Sequence, residues 1–83
     1  MTHDPHDDED IATCLRKALK SYFQHLDGEK PVPVYDMVIR SVERPMLEVV
    51  LKQAGGNQTL AAEILGINRN TLRKKLVDHK LIV

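Results

Sequence analysis

Five Lys or Arg residues stand in the last 27 positions of this chain, and four of them, Arg69, Arg73, Lys74 and Lys75, fall within seven. With Lys80, and against Glu63 and Asp78, they leave residues 57–83 at a net charge of +3. Residues 1–10 carry the opposite excess, with Asp4, Asp7, Asp8, Glu9 and Asp10 and no Lys or Arg. The formal net charge of zero therefore hides a local basic site of the kind that meets polyanions. A basic run also suits the C-terminal end of a helix, where cations oppose the dipole, so charge alone does not separate a solvated helix from a binding face. The residues just upstream do.

The segment N-Q-T-L-A-A-E-I-L-G-I-N-R-N-T-L-R-K-K-L, residues 57–76, has the spacing of a helix-turn-helix. Two short helices that cross closely need a small residue in the first, and Ala62 supplies it. The tight turn needs a residue that tolerates positive φ, and Gly66 stands four later. The second helix needs an apolar residue pointing back at the first, and Leu72 stands six after the glycine. Asn57 and Asn68 are suited to cap the two helices, with Gly66 closing the first. Ile64, Leu65, Ile67 and Leu76 are expected to complete the small core.

Leu72 and Leu76 face inward on this reading, which leaves the cations on the outer surface. An arginine in the first turn of such a helix, here Arg69, can reach the O6/N7 pair of a guanine in a major groove. Asn68 stands beside it. Thr71, Arg73, Lys74 and Lys75 suit phosphates or nearby base edges. Asn57 and Thr59 open the first helix, whose free N–H groups can receive a phosphate. The expected DNA-binding set is thus Asn57, Thr59, Asn68, Arg69, Thr71, Arg73, Lys74 and Lys75.

The elements that hold this site are expected to be helices. Residues 1–10 read as a disordered acidic tail, low in hydrophobicity and high in charge. Ile11 to Leu26 has helical periodicity, ended by Asp27-Gly28 and kept from resuming by Pro31 and Pro33. A longer pattern runs from about Val34 to Ala54 with Pro45 inside it. It is either two helices, the second opened by Pro45, or one helix kinked there; the absence of a loop-like run beside Pro45 favours the single helix. Gly55-Gly56 is a clear stop. The fold class is all-α, with residues 11–54 as a helical region and 55–83 as the helix-turn-helix.

At 83 residues the chain builds one small domain, of a size that often needs extra stabilisation. Cys14 is the only cysteine, so no disulfide forms within the chain; it reads as a small packing residue. No spacing offers a structural zinc site, and oligomerisation is the remaining common route. No apolar run approaches the ~18 residues of a membrane span, and the acidic N-terminus is unlike a signal peptide. A cytoplasmic protein is expected, with no cofactor, metal or small-molecule substrate. No nucleophile–base or paired-carboxylate arrangement suggests an enzyme.

At GNQTLAAEILGINRNTLRKKL, and more loosely at LRKALKSYF and VERPMLEVVL, the chain resembles the Fis (factor for inversion stimulation) family of bacterial DNA-binding proteins. The resemblance spans about residues 11 to 80. The same fold ends many enhancer-binding activators, but 83 residues leave no room for their ATPase domain. The resemblance implies a nucleoid-associated homodimer intertwined through the first two helices of each subunit, which makes residues 11–54 the dimerisation region, with the second helix kinked at its proline. It implies two recognition helices closer than one groove repeat, hence DNA bent toward the protein. By matching positions, Asn68 and Arg69 would contact bases or nearby backbone, Thr71, Arg73, Lys74 and Lys75 the groove edges and flanks, and Asn57 and Thr59 phosphates. Leu60, Val77 and Asp78 stand where the family often carries basic residues, so flanking contacts are expected to be weaker. The arm that stimulates DNA invertases is not recognisable in MTHDPHDDED. The expected partners are double-stranded DNA and a second copy, with RNA polymerase as a further candidate. The competing reading is a protein-interaction module docking on polymerase or recombinase, with DNA contact secondary.

Overall fold

Two left-handed turns set the path of the C-terminal half. At Gly55 (φ 64°) and Gly56 (φ 82°) the chain leaves one helix, and the Gly56 N–H bonds back to the Leu51 carbonyl at 2.9 Å. At Gly66 (φ 73°) it leaves the next, with the Gly66 and Ile67 N–H groups both on the Ala62 carbonyl, at 2.8 and 3.1 Å. These bonds satisfy carbonyls that a helix end otherwise orphans. They also turn the chain sharply enough for successive helices to meet.

The structure is a computed structural model that describes residues 5–82, with side chains from Glu9 onward. Among the described residues are four helices and no strand: α1 Pro5–Gln24, α2 Val34–Gln53, α3 Gln58–Leu65 and α4 Arg69–Asp78. The chain divides into two units, Met1–Pro33 and Val34–Val83. The all-α expectation is met.

In the first unit α1 begins at Pro5, not at Ile11. Residues 5–10 thus extend a helix where the sequence reads as a tail. The physical reason is local: proline suits the first helical position, and a run of Asp and Glu complements the positive end of the helix dipole. Residues 1–4 of the expected tail lie outside the described residues. The helix ends near Asp27 (φ 50°) and Gly28 (φ 84°) as expected. The Val32 N–H then donates to the Tyr22 hydroxyl at 3.1 Å, and the Tyr22 and Phe23 rings meet edge to face at 5.4 Å. Cys14, expected to pack, is exposed in the single chain.

In the second unit α2 is one helix through Pro45. Its C-terminal half carries Leu47, which is buried with Ala54, Ala61, Ala62, Leu72 and Leu76; Val50, Leu51, Leu65, Ile67, Leu81 and Ile82 close over this core. The helix-turn-helix is therefore three-helical, with α2 as its platform. Each fully buried leucine contributes ~1.5–3 kcal/mol relative to exposure. Ala62, Leu65, Ile67, Leu72 and Leu76 sit as the spacing predicts. Ile64 does not: it is 50% exposed. Ala61 and Ala62 turn their face of α3 to the core, and Ile64 falls with Leu60 on the opposite side.

Candidate nucleic-acid interface

The cap of each short helix aims the residues that follow it. The Asn57 side-chain oxygen accepts from the Leu60 N–H at 3.1 Å, and that of Asn68 from the Asn70 N–H at 2.7 Å. Such caps each contribute about 1 kcal/mol. Both oxygens are committed, which leaves the two amide NH₂ groups as donors at the starts of α3 and α4. Donors are what a phosphate or a purine N7 requires.

The face of α4 follows from its two buried leucines. With Leu72 and Leu76 sealed against the core, Arg69, Asn70, Thr71, Arg73 and Lys74 stay exposed. Arg69, Asn70 and Arg73 line an open cleft together with Gly56, Gln58 and Thr59 from the start of α3. Farther along, Asn70, Arg73 and Lys74 border a second shallow groove with Val77 and Asp78. The structure thus brings Thr59, Arg69 and Arg73 to one cleft and continues it through Lys74. No ion pair among the described residues engages Arg69, Arg73 or Lys74, so their charge is open to an external anion.

Lys75 is placed differently from the other expected cations. Its ammonium lies 2.8 Å from the Glu43 carboxylate of α2, and the same carboxylate meets His79 Nε2 at 2.8 Å. The His79 side chain is 4% exposed and that of Glu43 16%. The Lys75 and His79 hydrogen bonds hold the Glu43 carboxyl below its ordinary value of 4.5, against a smaller opposing effect of burial. Arg44, next in sequence, donates to the His79 backbone carbonyl. It also pairs with Glu48 at 3.0 Å in the open, where such a pair contributes little.

Sequence reasoning missed Asn70 and Gln58. Asn70 precedes Arg73 by three positions and Lys74 by four, so its outward position was available from helical spacing. Gln58 carried no such signal, because only the folded turn brings it beside Arg69.

The family described as bacterial regulatory protein, Fis family, matches residues 38–78. A protein of Neisseria meningitidis named as a Fis-like DNA-binding protein is 53% identical over 78 residues, covering 94% of this chain and 99% of that one. A protein of the same description from Ralstonia nicotianae is 57% identical over 72 residues, covering 87% and 94%. The DNA-binding protein Fis of Glaesserella parasuis is 45% identical over 72 residues, covering 87% of this chain and 74% of its own length.

Proposed function

We propose that this chain, which belongs to the Fis family of bacterial regulatory proteins, binds double-stranded DNA as a homodimer, places α4 in a major groove and bends the DNA. The observation that carries the reading is the exposed face of α4, where Arg69, Asn70, Thr71, Arg73 and Lys74 project from a helix anchored by Leu72 and Leu76. Arg69 is the base reader, able to donate two hydrogen bonds to one guanine. Arg73 and Lys74 grip phosphates, as do the amide donors of Asn57 and Asn68 and the Thr59 hydroxyl.

Pairing of two subunits is supported by the outer face of α2. Tyr35, Ile39, Val42, Met46 and Val49 recur at spacings of four and three, so they line one stripe. All are exposed in the single chain, Tyr35 at 77% and Val49 at 67%. Soluble monomers rarely leave so continuous an apolar stripe in water. Leu47 points the other way, into the core, so one helix can serve both surfaces. The dimer is the form in which a transcriptional regulator of the nucleoid would present two copies of α4 to one duplex.

Replacing Arg69 with alanine tests the site. Binding to a selected duplex, followed by fluorescence anisotropy, is expected to weaken by about 1–3 kcal/mol, with specificity relaxed at one base per half-site. An equal loss on every sequence would make Arg69 a phosphate clamp and overturn its role as reader.

A further inference from the structure

α4 carries a second polar cluster that the DNA-facing set does not use. Lys75 is two residues beyond Arg73, about 160° around the helix at 3.6 residues per turn, and its chain turns toward α2. There Glu43 divides its carboxylate, Oε2 accepting from Lys75 Nζ and Oε1 from His79 Nε2, each at 2.8 Å. The neighbouring Arg44 holds the His79 carbonyl, so side chain and backbone at the end of α4 are gripped by consecutive residues of α2. His79 is buried, while Glu43 and Lys75 are half-buried. Hydrogen-bonded charges in such a setting hold more firmly than surface pairs. A lysine that left this site for a phosphate would give up its 2.8 Å pair with a carboxylate that His79 alone would then hold.

We propose that Glu43 is a positioning residue for DNA recognition: it touches no DNA, but it holds α4 onto α2 and withholds the Lys75 ammonium from the phosphates that Arg73 and Lys74 meet. The inference rests on the DNA-binding reading of α4. It makes Lys75 a structural cation and leaves the sequence's four-cation cluster with three free members. Glu43 thereby sets how strongly each subunit responds to salt, because only a cation that neutralises a phosphate releases a counterion.

Salt titrations of duplex binding by the full chain test this. The variants are K74Q, E43Q and E43Q/K75Q, each melted by circular dichroism to confirm its fold. K74Q is expected to flatten the slope of log affinity against log salt by about 0.9 per subunit. E43Q releases Lys75 and is expected to steepen it by a similar amount, roughly 3.5-fold per subunit between 50 and 200 mM. E43Q/K75Q exchanges an ion pair for two amides and is expected to return to the wild-type slope. A loss of stability alone lowers the active fraction and does not move the slope. The inference is overturned if E43Q keeps the wild-type slope or if E43Q/K75Q flattens it as K74Q does. Should E43Q fail to fold, the double variant decides by the same criterion. If K74Q alters nothing, or the wild-type chain binds no duplex, the DNA reading itself fails and this inference with it; if K74Q flattens the slope, that reading stands whatever Glu43 does.

Discussion

Glu43 is 32 residues from Lys75 and 36 from His79 in sequence, yet one carboxylate holds both. Its carboxyl is held below the ordinary value of 4.5, so the folded state binds the proton less readily than the unfolded chain. The stability it contributes is complete above the unfolded value and declines as pH falls through the lower, folded one. In thermal melts the advantage of wild type over E43Q is therefore expected to persist at neutral pH, shrink below about pH 4.5 and vanish once the carboxylate is protonated. An advantage independent of pH would contradict the contacts. Nothing in the sequence announces this residue. Arg69, Arg73 and Lys74 were legible because their position around α4 follows from Leu72 and Leu76. Lys75 was not, because its partner comes from a distant helix and only packing brings them together.

At the scale of elements, local chemistry carried most of the reading. Asn57, Gly66 and Asn68 act within four residues of themselves, so their caps and turn could be read directly. Ile64 was read into the core because the choice between Ala61–Ala62 and Leu60–Ile64 as the inner face of α3 depends on how closely α2 and α4 approach. The start of α1 was read late because charge density resembles a tail, although the same carboxylates favour a helix N-terminus. The turn between α3 and α4 gives a direct check. A methyl group at Gly66 would meet open space, with nothing within 4 Å. Gly66→Ala is thus expected to cost about 1–2 kcal/mol in chemical denaturation, through left-handed backbone alone. A neutral result would mean that the turn does not need its positive φ.

At the scale of the whole molecule, the separate observations converge on one arrangement. The inner face of α2 supports the helix-turn-helix through Leu47, and its outer stripe is open to a second copy. The basic face of α4 is presented by the same unit. A pair of such units, each neutralising phosphates with Arg73 and Lys74, is expected to bind DNA with an affinity that falls ~10²-fold between 50 and 200 mM salt. Sedimentation of a fluorescent duplex titrated with the chain at those two salt concentrations tests this most directly. The account expects two chains on each duplex, bound tightly at low salt and largely released at high. One chain per duplex, or binding indifferent to salt, would contradict it.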